Sequence, residues 1–449
     1  MLDTQSAIGQ LRLTIASLQG FNFLSLRKEA RLRFVRTLFF ALMFLTPTFA
    51  PAQDRPIALK ANTVLDGKGR ILHNTTIVVS GTKIVSVGGP IPAGAIIYDL
   101  AGLTVTPGWI DTHSHLMYHF NNGRLAGAGE PPEQAILFGA ENAVATLNAG
   151  FTTLQSPGSP EDKYLRDAIA RGILPGPRIL TSLQPIIDVK LTPDQIRQIV
   201  RERKQQGADF IKVFASKSIR EGGTQTLSDA QLDAACGEAK AQGLRTIVHA
   251  HSAESAKAAT LAGCTSIEHG AYLTDEVFDL MVQHGTYYDP NIGLVLQNYL
   301  ENKDKYLGIG NYNEEGFAFM QKGVQIVLDT FKKALKHPGL KIIYGTDAVA
   351  GAHGRNYEEF IVRVRDGKQD PMQALISATS LSAQSLNLGD QIGCLAPGMQ
   401  ADIVAFDGNP LQDVTAARRA VFVMKGGRVV ENLAHNAKRS ETSEATQLR

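Results

Sequence analysis

His113 and His115 stand two residues apart in Gly108-Trp-Ile-Asp-Thr-His-Ser-His115. In an extended segment residues so spaced face one side, so both imidazoles can reach a single metal ion. Lys212 interrupts the otherwise apolar run Phe210-Ile-Lys-Val-Phe214. A buried amine is costly unless it is paired or chemically altered. Lys212 therefore either snorkels to a rim or reacts with carbon dioxide, giving a carbamate whose anionic oxygens can bridge two ions. His249 closes Leu244-Arg-Thr-Ile-Val-His249, His269 sits in Ile267-Glu-His-Gly270, and Asp347 closes Tyr344-Gly-Thr-Asp347. Singly each is an ordinary polar residue. Together they supply the imidazole and anionic donors that a two-metal hydrolytic site needs around an acidified water. His251 shares the segment His249-Ala-His251 and faces the same side as His249, which suits it to binding a substrate carboxylate or leaving group rather than metal.

These residues need a scaffold that brings distant segments to one face. Short β-rich runs recur at Ile110, 151–154, 178–180, 209–214, 244–249, 265–269, 286–288 and 341–344, separated by stretches long enough for helices, such as 228–242 and 252–262. Repeated βα alternation implies a parallel sheet, and eight such units imply an α/β fold of the (β/α)8 TIM-barrel type. The donors then follow strands one, four, five, six and eight, at the carboxyl ends where barrel enzymes build their sites. His119, Arg124, His353 and Arg355 fall on loops of that same face and are candidates for recognising a substrate carboxylate. Alternating strand-like text also occupies both chain ends, broken by Asp66-Gly67, Ser80-Gly81 and Gly88-Gly89 early on and by the Asp407-Gly408-Asn409-Pro410 turn late. The two ends are expected to pair into a small β-sandwich domain, residues 53–107 with 390–435, around a barrel at 108–389; residues 436–449 are expected to be a disordered tail.

With 449 residues, 44% hydrophobic and 20% charged, the chain can house such a barrel, and a net charge of +2 without a long basic run gives a nucleic-acid partner no support. The first 52 residues read as a signal-peptide region: Arg31, Arg33 and Arg36 precede the apolar run Leu38-Phe-Phe-Ala-Leu-Met-Phe-Leu45, and Ala50-Pro-Ala52 offers a small-x-small cleavage signal. Cleavage after Ala52 and an exported, periplasmic protein with no stable membrane span are expected; Pro47 and Pro51 disfavour an uncleaved anchor. Residues 1–27 lie upstream of where such a signal should begin, so a later start is expected. Cys236, Cys264 and Cys394 are too few and scattered for a disulfide framework and are expected to be small buried side chains.

Two further segments, Thr106-Pro-Gly-Trp-Ile-Asp-Thr-His-Ser-His115 and Leu395-Ala-Pro-Gly-Met-Gln-Ala-Asp-Ile-Val404, join the barrel motifs in one pattern. The chain resembles the amidohydrolase superfamily, in its binuclear subtype with a carboxylated lysine, and within it the Xaa-Pro dipeptidase and imidazolonepropionase-like branch. The resemblance covers nearly the whole mature chain. It implies two divalent ions, expected to be Zn2+, with His113, His115 and Asp347 holding the more buried one, His249 and His269 the second, and carboxylated Lys212 between them. It also implies Asp347 as general base, taking a proton from a metal-bridging hydroxide and delivering it to the leaving amine. The expected activity is hydrolysis of a dipeptide, including Xaa-Pro, or of an N-acyl amino acid. The alternatives are another carboxylate-bearing amide of the ochratoxin type, or a cyclic amide as in imidazolonepropionase, whose members use a single ion and no bridging carbamate. A non-enzymatic exported binding barrel would not require this donor set. Where peptidases of the branch carry an aromatic residue after the lysine strand, residues 216–228 have none, which leaves Tyr118, Tyr287 and Tyr288 as substitutes. His251, Tyr287 and His353 are the expected substrate-binding residues, specificity lies in loops 117–132 and 292–316, and a homo-oligomer is compatible with the reading.

Overall fold

The computed structural model describes residues 55–126 and 129–434. The expected signal region with its cleavage after Ala52, and the tail 436–449, lie outside the described residues. Among the described residues, no helix is long and apolar enough to cross a membrane.

The alternating text that begins at residue 57 forms β1 (Ile57–Leu65), β2 (Ile71–Ser80), β3 (Lys83–Val87), β4 (Ile96–Asp99) and β5 (Leu103–Pro107). β1 and β2 run antiparallel from Ile57↔Val79 to Leu65↔Ile71, while β4 and β5 join β1 in parallel. Gly67, in the β1–β2 turn, has φ +84° and sits so close to the Gly393 carbonyl that any side chain would collide with it.

The eight runs picked out in the sequence are all strands. They are β6 (Trp109–Asp111) and, after the hairpin β7 (Phe120–Asn121) and β8 (Arg124–Leu125), β9 (Phe151–Ser156), β10 (Arg178–Thr181), β11 (Phe210–Phe214), β12 (Arg245–Ser252), β13 (Ser266–Tyr272), β14 (Tyr287–Asp289) and β15 (Lys341–Ile342). β6, β9 and β10 form one parallel group and β11 to β15 another. Parallel bridges Ile186↔Val213 and Ser114↔Ala348 connect the groups on either side. Helices alternate with the strands, and two of them, Pro193–Gln206 and Asp229–Ala241, begin with reciprocal capping boxes, Thr192 with Gln195 and Ser228 with Gln231. The expectation of unpaired cysteines is corrected here, because Cys236 on the second of these helices is disulfide-bonded to Cys264 just before β13. Their Cα atoms stand 5.1 Å apart, Cys236 within the helix that precedes β12 and Cys264 just past the end of the helix that follows it. Cys394 is buried and free.

The chain returns as β16 (Ile403–Asp407), β17 (Ala420–Lys425) and β18 (Arg428–Asn432). β16 pairs antiparallel with β5, from Ile403↔Pro107 to Asp407↔Leu103, so both chain ends share one sheet of eight hydrogen-bonded strands, where a sandwich of two sheets was expected. One apolar core, including Leu59, Ile77, Val105, Ile403, Phe422 and Met424, fills its inner face. Trp109 fastens this sheet to the strand–helix repeats: fully buried, it packs against Phe406 of β16 (5.1 Å between centroids), Phe360 (5.0 Å) and Phe151 (5.7 Å).

Candidate active site

Beyond β6 the chain is pinned by Asp111, whose buried carboxylate accepts hydrogen bonds from Thr346 Oγ1 (2.6 Å), Asn356 Nδ2 (2.7 Å) and the backbone amides of His113 and Thr346 (3.0 Å each). Burial pushes its pKa up to about 7, against these hydrogen bonds. The segment after β15 is thereby tied to the segment after β6, and Asp347 N donates to His113 O at 2.7 Å. Asp347 Oδ1 lies 3.4 Å from His113 Nε2 and 3.1 Å from His115 Nε2, and one donor atom from each of the three lies within 4.8 Å of the others.

Lys212 projects from β11 into the same place, 1% exposed, with Nζ 3.3 Å from His113 Nε2. His249 and His269 complete the floor, 4.6 Å apart between ring centroids, with His269 5.2 Å from His113 and 5.0 Å from His251. His249 Nε2 also comes within 3.3 Å of Lys217 O. His269, Asn291 and Asp347 have positive φ of 68°, 46° and 50°. Non-glycine residues hold such backbone only where surroundings over-determine it, and they cluster at functional sites. At His269 the consequence is direct. Strand alternation puts Ser266 and Glu268 on the inside and would turn His269 outward, and the left-handed residue returns its ring to the floor.

Electrostatics favour cation binding. Burial, reinforced by the positive charge of Lys212, holds His113 well below the usual histidine range; burial and neighbouring histidines do the same for His249 and His269, so all three are neutral near pH 7. Burial alone would raise the pKa of Asp347, but His113 and His115 keep it below the ordinary value, as a carboxylate. Burial lowers the pKa of Lys212 despite Glu268, Asp347 and Asp289 nearby. Neutral imidazoles with free lone pairs and an ionised carboxylate converging from separate strands are the donor set that divalent metals require, so these residues fit such an ion.

Beneath the floor are residues that the sequence reading passed over. Glu268 Oε2 stands 2.9 Å from His113 Nδ1, while Glu268 Oε1 accepts from Ser266 Oγ at 2.6 Å. Asp289, close to Glu268, accepts from Thr112 Oγ1 at 2.5 Å. Burial raises the pKa of both acids. Arg363, fully buried, reaches Asp289 at 3.7 Å and Glu359 at 2.8 Å, and Glu359 caps the helix Leu294–Glu301 by accepting from Ile292 N and Gly293 N.

Above the floor opens a cleft. His113, His115, Lys212, His249, His251, His269 and Asp347 all line it; Tyr118, Arg220, Tyr299 and Tyr312 form its polar aromatic wall and Phe214, Leu296 and Val349 its apolar one. Two expected substrate-binding residues are elsewhere. Tyr287 opens β14 opposite Ser266 and Lys341, at the amino end of its strand and so away from the site, with Lys341 Nζ over its ring. His353 sits off the cleft with Nε2 3.3 Å from Tyr118 O. Tyr288 is fully buried and donates to His269 O at 3.1 Å, so it braces backbone. Tyr118 does line the cleft, its ring stacked on His115 at 5.0 Å. Arg220 carries no motif; its place in the segment after the lysine strand was the available signal.

Comparison with known proteins agrees with this geometry. The model of the amidohydrolase family matches residues 104–432. The ochratoxinase of Aspergillus niger is 29% identical over 246 residues, which are 53% of this chain and 49% of that protein, so the chain matches about half the length of this relative. The imidazolonepropionase of Rhodococcus jostii is 22% identical over 377 residues, 77% of this chain and 85% of that protein. Among solved structures, a Xaa-Pro dipeptidase with methionine bound in its active site superposes with a TM-score of 0.76 at 30% identity, covering 84% of this chain and all of that one.

Proposed function

The chain belongs to the amidohydrolase family and is a metal-dependent enzyme of it, and on that footing we propose that it hydrolyses the amide bond of a small carboxylate-bearing substrate, a dipeptide such as Xaa-Pro or an N-acyl amino acid. The observation that carries the reading is the convergence of His113, His115 and Asp347 within 4.8 Å, with Lys212, His249 and His269 lining the same cleft.

In this reading His113, His115 and Asp347 would hold one divalent ion and His249 and His269 a second, both zinc, and Lys212 as a carbamate would serve as a further ligand. The ions supply an acidified water and polarise the substrate carbonyl. Burial favours the neutral amine of Lys212, the form that adds carbon dioxide. Asp347 accepts the proton of the attacking water and passes it to the departing nitrogen. His251, whose Nδ1 has no protein partner and whose pKa is lowered to about 3 by burial and by Arg220, faces the leaving group as a neutral imidazole. Tyr118, which lines the cleft with its ring stacked on His115, takes the place of the missing aromatic donor. Lys212 within the donor cluster argues against the single-ion chemistry of the cyclic amide alternative. The tyrosine wall suits an aryl-bearing amide of the ochratoxin type, which is the second reading.

The scaffold is read as a closed (β/α)8 barrel over residues 108–389 with a composite β domain from 53–107 and 390–435. Export to the periplasm is supported by the Cys236–Cys264 disulfide, a bond that persists in oxidising compartments. The decisive experiment combines metal analysis of the purified protein with a screen of dipeptides and N-acyl amino acids. About two ions per chain, turnover of at least one library member, and loss of turnover in Lys212→Ala with recovery by short carboxylates are expected. A protein that takes up no metal and hydrolyses nothing would sink the proposal.

A further inference from the structure

We propose that Arg220 is the anchor for the substrate's free carboxylate, so that the cleft selects amides whose leaving group carries an acid. This deepens the amide-hydrolase reading and rests on it for the reaction, though the anchor itself can be measured by binding alone.

The four residues that the sequence offered for this task are engaged elsewhere. His119 is held by Glu130 and the Met117 carbonyl, Arg124 donates to Leu307 O, His353 meets Tyr118 O, and Arg355 pairs with Glu301 and Glu358. Besides Lys212 on the floor, Arg220 is the one permanently cationic side chain lining the cleft among the described residues. No carboxylate of the described residues forms an ion pair with it; its Nε donates to Asn311 Oδ1 at 2.9 Å, and Asn311 is itself fixed by donating to Glu221 Oε2 at 2.8 Å. The guanidinium carbon stands 4.1 Å from the centre of the Tyr312 ring and 5.4 Å from that of Tyr299, and the two tyrosine hydroxyls are bonded to each other at 3.1 Å. Aromatic faces and one amide thus fix the guanidinium in place without neutralising it. A largely enclosed cation with no acidic partner is costly, and a fixed guanidinium fork matches the two oxygens of a carboxylate.

The loop that carries Arg220 is shaped for this position. Ser218 Oγ caps the turn Ile219–Glu221 through Arg220 N, and Gly223, at φ +69°, lies where a Cβ would stand 2.6 Å from His251 Cβ. Only glycine lets the loop settle on His251 and deliver the guanidinium to the cleft. Arg220 therefore sits on the His251 side, where the proposed role of His251 puts the departing amine. In a dipeptide or an N-acyl amino acid that is the half of the molecule bearing the carboxylate.

The test uses the metal-loaded protein with a paired library, each dipeptide and N-acyl amino acid offered as the free acid and as the C-terminal carboxamide, against wild type, Arg220→Met and Arg220→Lys. Calorimetric titration with L-proline and L-phenylalanine and with their carboxamides gives a readout that needs no turnover. Wild type should prefer acids over carboxamides on the order of 100-fold, mainly through KM, as for loss of one partner of a buried charge pair. Arg220→Met should bring that ratio close to one and weaken amino-acid binding to a similar degree, with Arg220→Lys in between. A wild-type enzyme that treats acid and carboxamide alike, or an acid preference that survives in Arg220→Met, overturns the anchor and leaves the hydrolase reading standing. Acid binding that depends on Arg220 without any amide turnover does the reverse, and absence of both overturns both.

Discussion

Glu268→Gln separates a role in orienting His113, a metal ligand in the proposed site, from a role in the fold. The wild-type carboxylate is wholly buried, 2.9 Å from His113 Nδ1, and accepts from Ser266 Oγ at 2.6 Å. A carboxylate behind a ligating imidazole fixes which ring nitrogen carries the proton and strengthens the other as a donor. The substituted amide keeps the shape and can still accept one hydrogen bond, but it brings no charge. Loss of such a support lowers metal affinity by roughly 10- to 100-fold, or about 1.4–2.8 kcal/mol. The fold should respond differently. Burial already lifts the pKa of Glu268 to about 7 beside the acid Asp289, so an uncharged amide removes a repulsion as well as an attraction. Unfolding of the metal-free protein should shift by less than about 1 kcal/mol. Chelator competition on the loaded protein and thermal unfolding of the stripped protein measure the two effects separately. Metal affinity within a factor of about two of wild type would refute the orienting role, and collapse of the stripped variant would make Glu268 a structural residue instead.

Three other perturbations probe parts of the molecule away from the floor. Reducing the Cys236–Cys264 bond, or replacing both residues with Ser, should destabilise the protein by about 3–4 kcal/mol on the loop-entropy estimate for a separation of 28 residues, read as a lower melting temperature with reductant; an unchanged melting curve would contradict it. His337 lies between Asp275 (2.9 Å) and Asp279 (2.8 Å); burial opposes its charge, yet the two acids hold its pKa above the ordinary value. Its stabilisation is therefore complete below the unfolded-state pKa and lost as pH rises through the folded one, so His337→Ala should lower stability at about pH 5.5 by up to about 1 kcal/mol, given the exposed aspartates, and the electrostatic part of that loss should fade as pH rises through the folded-state pKa. Trp109→Ala empties a fully buried position where the eight-stranded sheet meets the strand–helix repeats, and should cost about 3–5 kcal/mol in denaturant unfolding.

The strands and most donors were legible because each rests on local periodicity: a short β-rich run followed by His or Asp marks the end of a strand, and pairs such as His113 with His115 share a face whatever the tertiary context. What local text cannot give is which end of a strand a residue occupies when the strand is three residues long. Tyr287 looked equivalent to residues at the carboxyl ends, and its pairing with Ser266 and Lys341 puts it at the amino end. The Cys236–Cys264 bond depends on two helices flanking one strand, a relation with no motif. Glu268 was hidden by its neighbour: reading His269 as inward by simple alternation pushes Glu268 outward, and only the positive φ at His269 lets both face the floor. Arg220 lies in a loop whose course is set by Gly223 against His251, a contact between segments far apart in sequence.

The charges around Lys212 bear on how the proposed site assembles. Glu268, Asp289 and Asp347 all raise its pKa, and burial still prevails, which leaves the amine readier to be neutral than an exposed lysine. A neutral amine that adds carbon dioxide forms an N–C bond, releases a proton and becomes an anion. In the bare site that anion would stand with Asp347 and the Glu268–Asp289 pair in a dry interior, where like charges disfavour one another. Two divalent cations reverse the balance, since each anionic oxygen then has a partner. In the proposed site carbamate and metal would stabilise each other, and because such coupling is reciprocal, carbon dioxide would raise metal affinity by the same factor by which metal raises carboxylation. In the proposed site, Lys212 would be the residue through which metal loading and carbon dioxide are linked.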